Sequence, residues 1–402
     1  MQPSSLPESL QAWRETDPLR NQRWAEPWEV LRPFFRAAGY ELYRTKAVPG
    51  AFTVPISATP PALESFGLYG DRSNFVSSFS PFAQLFAARD RLNRDVVIKV
   101  ISKGTEGANE RRTLELLNSQ PLRSDPANAT VPVLDFLEYE DYCFAVMPCC
   151  GSSSSYPFLY ASECLDFAEQ LLEALCFLHK HRIAHLDISF ENVVVNHHGN
   201  MPKKYTYDQD RKGLKIWPPL EWRSTFPVRY YLLDFGISVH YPEDLPLSRC
   251  TMLPFPQGRM HRAPETLGKK AFNPFAADVY QVARLLYAWF PDLANDVPDL
   301  LKLLQDMSYY NPSGRITAST ALSRLRSVRP AIAEERLTEL RERNILHYLI
   351  IPRSNLRLLR EILETGNWSL AGQYTWWLLK SWYVYSMASG LFTNSLSGCP
   401  EY

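Results

Sequence analysis

At "GSSSSYP", residues 151–157, the hydrophobic period of the chain changes from about 2 to about 3.6 residues, and no other feature limits its possible folds so strongly. Upstream, "SNFVSSFSPFAQLFAARDRLNRDVVIKVIS" alternates apolar and polar residues around "RDRLNRD", as a twisted hairpin followed by a buried strand should. "GANERRTLELLNS" has helical spacing, and "VPVLDFLEYEDYCFAVM" returns to strand alternation. Downstream, "SECLDFAEQLLEALCFLHKHRI" sets Leu165, Ala168, Leu172, Leu175 and Leu178 on one helical stripe. Two short strand patterns, "NVVVN" and "YYLLDFG", interrupt the helices, which resume at "NPFAADVYQVARLLYAWF" and near "DLLKLLQDM". The expected fold is α+β and bilobal: a small β-rich lobe with one main helix, then a larger, mainly helical lobe. A length of 402 residues exceeds what one hydrophobic core usually holds, which agrees with two lobes.

Extensions flank this body. Residues 1–66 read as an extension and linker, with one helical stretch, "EPWEVLRPFFRAAGYEL", before the Pro-rich "VPGAFTVPISATPPA". Residues 331–402 read as a helical extension in which Gly366 stops one helix and an aromatic helix follows. Trp24, Trp28 and Tyr40 on one side, and Trp376, Trp377 and Trp382 on the other, are expected to pack on the lobes, because exposed apolar patches of that size are rare. The stretch 369–392 is long enough to span a membrane, but Lys380 sits near its middle at a cost of about 2.5 to 3.5 kcal/mol, so a docking helix is expected instead.

Lys and Arg together number 43, as do Asp and Glu, and this balance points to no nucleic-acid or membrane surface. The 7 cysteines lie mostly in apolar runs, as small buried hydrophobes do in a reducing compartment. The amino terminus has no apolar core of signal-peptide length, so cytosol or nucleus is the expected location.

A series of charged and polar residues runs through the body in a definite order. Lys99 lies in "VVIKV", Glu110 in "NERRTLELL", Asp187 and Asn192 in "HLDISFEN", Asp234 in "LLDFG", Glu265 in "HRAPE", Asp278 in "AADVY" and Arg315 in "NPSGRITA". Singly they have ordinary readings: a solvated strand lysine, loop residues bonding their own backbone, a turn aspartate. Together, in this order and local context, they resemble the eukaryotic protein kinase family. "HLDISFENVVVN" and "LLDFGIS" look most like a fungal, mushroom-type subgroup of it. The resemblance implies a kinase domain over 67–330, with an amino-terminal lobe to about 150, a carboxy-terminal lobe from about 151, and an insertion over about 197–229.

The family's chemistry is ATP-dependent phosphoryl transfer, which leaves the protein mainly positioning and charge neutralisation to perform. By this resemblance Lys99 meets the α and β phosphates of ATP. Glu110 reaches Lys99 from a helix whose Leu114 and Leu117 face the sheet. Asn192 and Asp234 hold Mg²⁺, and Asp187 accepts the substrate hydroxyl proton. At the hinge, Met147 guards the adenine pocket, the Pro148 carbonyl accepts from adenine and the Cys150 amide donates to it; proline keeps its carbonyl and lacks only the N–H. Glu265 and Arg315 are expected to pair, and Asp278 to bond the catalytic-loop backbone. The implied activity is that of an ATP- and Mg²⁺-dependent kinase acting on a protein substrate, Ser/Thr preferred.

Several positions depart from the family pattern. Ser78, Ser80 and Ala83 stand where three phosphate-loop glycines are usual, and Pro81 deletes a tip amide, so the loop's grip on ATP should be weakened. Leu186 replaces an Arg that in many kinases neutralises a phosphorylated activation loop. The lost glycines motivate a rival reading, a pseudokinase that binds or scaffolds. A small-molecule phosphotransferase shares the H-x-D-x-x-x-x-N spacing, but "APE", Asp278 and Arg315 favour a protein kinase.

Overall fold

The computed structural model describes residues 6–15, 23–45, 52–53, 83–153, 158, 160–196, 223, 227–255 and 261–338. They fall into two compact units. One is drawn from Met1–Pro157, Glu169–Thr206 and Trp217–Glu243; the other is drawn from Phe158–Ala168, Tyr207–Ile216 and Asp244–Tyr402.

The first unit begins with helices α1 (Leu10–Glu15) and α2 (Glu26–Ala38), followed by the short strands β1 (Glu41–Leu42), β2 (Arg44–Thr45) and β3 (Phe52–Thr53). Pro27 in the first turn of α2 and Gly39 at its end suit a helix start and stop: Gly39 has φ +98°, and its N–H and that of Tyr40 close on the Arg36 and Phe35 carbonyls. Strands β4 (Leu85–Arg89) and β5 (Asp95–Lys103) form the expected hairpin. Its turn is tied by the Asp90 carboxylate, which accepts from the Leu92 and Arg94 amides at 3.0 and 2.8 Å. Helix α3 (Ala108–Asn118) and strands β6 (Asp135–Tyr139) and β7 (Tyr142–Pro148) follow. The resulting five-stranded antiparallel sheet has the order β1-β4-β5-β7-β6.

Alternation along β5 sends Val96, Ile98 and Val100 to one face of this sheet, where they meet Trp13, Trp28, Leu31 and Phe35 of α1 and α2 in one buried core. Trp28 has no exposed surface, and its ring centroid lies 5.3 Å from Phe86 and 5.2 Å from Trp13. Trp24 is buried as well, and Tyr40 is half-buried with its hydroxyl 3.3 Å from Asp135 Oδ2. The early helices are therefore part of the sheet's core.

After β8 (Gly151–Ser152), helix α4 (Ala161–Lys180) contributes its carboxy-terminal part to this unit. It is followed by β9 (Ile183–Ala184), β10 (Val193–Val195), β11 (Tyr230–Leu232) and β12 (Val239–His240). β10 lies between β11 and β8, and β9 pairs with β12. Of the insertion, Arg223 and 227–229 are described. Arg223 donates to the Ser153 carbonyl at 3.1 Å, Asn196 Nδ2 to the Pro227 carbonyl at 2.9 Å, and Gln170 Nε2 to the Val228 carbonyl at 3.1 Å, so its returning end is sewn to the small sheet.

The second unit holds the start of α4, then α5 (Pro274–Trp289), α6 (Pro291–Asp296), α7 (Pro298–Met307), α8 (Ala318–Val328) and α9 (Glu334–Thr338). Asn273 and Thr317 cap α5 and α8 through their side-chain oxygens. Phe158, Phe167, Trp289 and Phe290 form an aromatic cluster, with the Phe158 and Phe290 centroids 4.9 Å apart and edge-on. The expected carboxy-terminal aromatic helix lies outside the described residues. Among those described, no helix is long and apolar enough to cross a membrane, and the six cysteines are free thiols, four of them buried.

Candidate active site

Lys99 occupies the middle of β5, between Leu85 of β4 and Ala145 of β7, and strand alternation turns it away from the α1–α2 core. Helix α3 is preceded by Gly107, which has φ +78°; a Cβ there would come within 2.1 Å of the Ile101 carbonyl oxygen, so only glycine fits this junction. Glu110 lies in the first turn of α3, and Leu114 and Leu117, four and seven residues on, are buried as its spacing predicts. The Lys99 ammonium lies 2.5 Å from Glu110 Oε1 and 3.0 Å from Asp234 Oδ1.

Burial opposes the charge on Lys99, but the Asp234 and Glu110 carboxylates overcome it and hold its pKa above the ordinary value. Burial is also the largest influence on Glu110 and pushes its carboxyl up, against the pull of Lys99 and with the help of the Asp234 charge. Gly236 leaves this space open: a Cβ on it would lie 3.6 Å from Glu110 Oε2 and 3.4 Å from Asp234 Oδ1.

Asp187 and Asn192 meet on the loop between β9 and β10. Asn192 Nδ2 donates to both the carbonyl and the Oδ2 of Asp187, each at 2.8 Å. With its amide nitrogen facing those two acceptors, Asn192 must turn Oδ1 the other way, and that oxygen is buried with no hydrogen-bond partner among the described residues. The Leu233 amide donates to the Asn192 carbonyl at 3.1 Å, which brings Asp234 beside this loop. Leu186 and Asp234 have φ +67° and +68°, a conformation that non-glycine residues adopt at a cost and that clusters at working sites. A buried, unpartnered amide oxygen beside a carboxylate is a hard-oxygen donor pair, the chemistry Mg²⁺ requires.

The residues expected at the hinge lie at the end of β7. Met147 is half-buried opposite Val97, and Pro148 pairs with Val96. The Cys149 amide is spent on the Asp95 carbonyl at 3.1 Å, whereas no backbone acceptor among the described residues takes the Cys150 amide. Burial raises the Cys150 thiol pKa far above its usual range. Ala83 is buried and its carbonyl accepts from Trp28 Nε1 at 2.8 Å; Ser78 and Ser80 lie outside the described residues.

The structure also gives work to residues that the spacing argument left without a role. His185 Nδ1 accepts from the Asp187 amide at 3.2 Å, so the ring proton is on Nε2, which donates to the Leu233 carbonyl at 3.1 Å. The buried Phe235 ring lies 4.9 Å from the His185 ring, and Ser238 Oγ donates to the His185 carbonyl at 3.1 Å. Asn109 Nδ2 donates to the Ser238 carbonyl at 2.6 Å, which links α3 to the chain just after Asp234. The position of His185 in "HLDISFEN" was the available signal; its partners Leu233, Phe235 and Ser238 are about fifty residues away and left none.

The sequence model of the protein kinase domain matches residues 81–293. The chain belongs to the protein kinase family. No curated protein matches it.

In the second unit, Glu265 and Arg315 form the expected pair, bidentate at 2.5 and 2.7 Å. The Arg315 guanidinium also donates to the carbonyls of Tyr309, Ala276 and Tyr310 and lies over the Tyr280 ring, with its side chain wholly buried. Asp278 is fully buried in α5. His261, within "HRAPE", is buried beside the Arg284 charge, and its pKa falls to about 3, so the imidazole is neutral.

Proposed function

We propose that this kinase transfers the γ-phosphate of ATP to a protein hydroxyl, Ser/Thr preferred. The observation that carries the reading is the Lys99 ammonium held between Glu110 and Asp234, together with an Asn192 oxygen that is buried and has no hydrogen-bond partner among the described residues. Glu110 fixes Lys99 where it can meet the α and β phosphates, and Met147, Pro148 and Cys150 border the adenine. Asn192 Oδ1 and the Asp234 carboxylate would hold Mg²⁺, whose part is to neutralise charge on the phosphates. Asp187 orients the acceptor hydroxyl; as its oxygen bonds to the γ-phosphorus and the bond to the β-phosphate oxygen breaks, the hydroxyl proton passes to the Asp187 carboxylate. The Asn192 amide keeps that carboxylate aimed, because it holds Oδ2 at 2.8 Å. The free thiols fit action in a reducing compartment, cytosol or nucleus.

The test is phosphate incorporation by the purified full-length chain with Mg-ATP, into itself or a peptide library, beside a folded Asp187→Ala variant. Transfer should fall by a factor of about 100 or more in the variant, the loss expected of an acid–base group. Equal background incorporation by both proteins would overturn the reading in favour of a binding module.

A further inference from the structure

The contacts that join α1 and α2 to the nucleotide side of the first unit play no part in the transfer chemistry. Trp28 places its single N–H donor on the Ala83 carbonyl at 2.8 Å, and its ring is locked between Trp13, Phe35 and Phe86. The next residue, Gln84, accepts from Arg14 Nε at 3.1 Å. Just past the end of β5, the Leu10 and Gln11 amides donate to the Glu106 carboxylate at 2.7 and 3.0 Å. Leu10 Cδ1 lies 2.7 Å from the point a Cβ on Gly107 would occupy, so the side chain closes directly on the cap of α3. Glu106 is itself rigid, since its main chain exchanges two 2.9 Å hydrogen bonds with Lys103.

These ties act on two segments that matter for transfer. Ala83 leads into β4, whose Leu85 pairs with Lys99, and Glu106 leads into the helix turn that presents Glu110 to Lys99. We propose that α1 and α2 are positioning elements of the nucleotide site, Trp28 fixing the entry to β4 beside Lys99 and Glu106 fixing α3 so that Glu110 stays on Lys99. The consequence for catalysis rests on the kinase reading above, whereas the mechanical coupling does not.

Two variants of the full-length chain separate positioning from simple support of the core. Trp28→Phe keeps an aromatic ring and removes the donor; Glu106→Gln keeps the shape and leaves one acceptor oxygen for two amides. Leu303→Ala, a buried leucine in α7, serves as a destabilised control. Trp28→Phe should raise the KM for ATP about fivefold with kcat within about twofold, the value of one net hydrogen bond, and Glu106→Gln should lower kcat/KM about fivefold. Leu303→Ala should leave both constants within about twofold although it melts earlier.

Amide hydrogen exchange without nucleotide is the second measurement. Trp28→Phe should speed exchange over 84–89 and Glu106→Gln over 108–114, each about fivefold, with 135–148 unchanged. Unchanged exchange in the named segments, or an equal rise across the sheet, overturns the inference. So does a KM shift in Leu303→Ala equal to that in Trp28→Phe. A wild-type chain that binds no Mg-ATP would sink the kinase reading, and the exchange measurement would still decide whether the coupling exists.

Discussion

Replacing Lys99 by Met tests the electrostatics of the site without opening a cavity, because the methionine side chain follows the lysine stem. In the folded chain the ammonium forms the ion pair with Glu110, which is 2% exposed, and it also contacts Asp234, whose side chain is 21% exposed. Removing one partner of a buried ion pair costs about 3 to 5 kcal/mol. Here the lower end applies: Asp234 can turn to water, and Glu110 can relieve its isolation by taking up a proton. That relief fixes the pH dependence. Burial already raises the Glu110 pKa above its ordinary 4.5, and loss of Lys99 raises it further. A carboxyl whose folded pKa is raised holds a proton that the unfolded chain has released, so its contribution to stability is full below the unfolded pKa and is lost as pH rises through the folded one.

The Lys99→Met deficit against wild type should therefore be about 3 kcal/mol at about pH 8 and shrink to about 1 kcal/mol at about pH 5. Urea unfolding at several pH values, followed by tryptophan fluorescence, reads it, since Trp13, Trp24 and Trp28 all lie in the unit that holds Lys99. The double change Lys99→Met with Glu110→Gln should recover most of the loss and flatten the pH dependence. A deficit below about 1 kcal/mol at every pH, or one of constant size, would refute the picture of a buried carboxylate held ionised by Lys99.

Arg315→Lys should cost about 3 kcal/mol in the second unit, because an ammonium can reach at most three of the acceptors that the guanidinium now serves; chemical denaturation monitored through Trp289 would show it, and a loss under about 1 kcal/mol would count against the site. Gly107→Ala should destabilise the first unit by about 2 to 4 kcal/mol, from a φ of +78° and a Cβ that meets the Ile101 carbonyl, with α3 amides exchanging faster than those of β7; a melting temperature equal to wild type would show that the junction yields.

The elements bearing Lys99, Glu110, Asp187, Asn192 and Asp234 were readable because each rests on short-range rules. Period-two alternation put Lys99 on a strand, and spacing of four and seven residues set Glu110 on the same helix as the buried Leu114 and Leu117. The order of those residues along the chain then suggested one site. Harder to foresee was α2: its own amphipathic stripe of Trp28, Leu31 and Phe35 announced a helix with a face to bury, but not the surface that would bury it. Trp28 finds Ala83 55 residues later, and β1 pairs with β4 across more than forty residues of chain, contacts that no local pattern records.

What the sequence alone determined is thus the set of helices and strands and the chemical groups they carry, because backbone preference and hydrophobic period act over a few residues. Tertiary structure decided which groups share a low-dielectric space. Only there does Lys99 acquire two carboxylates, Asn192 an amide oxygen turned away from its partner, and Ala83 a tryptophan holding its carbonyl. Charges and donors become costly to leave unpaired only once water is excluded, and exclusion of water is a property of the assembled core rather than of any stretch of sequence.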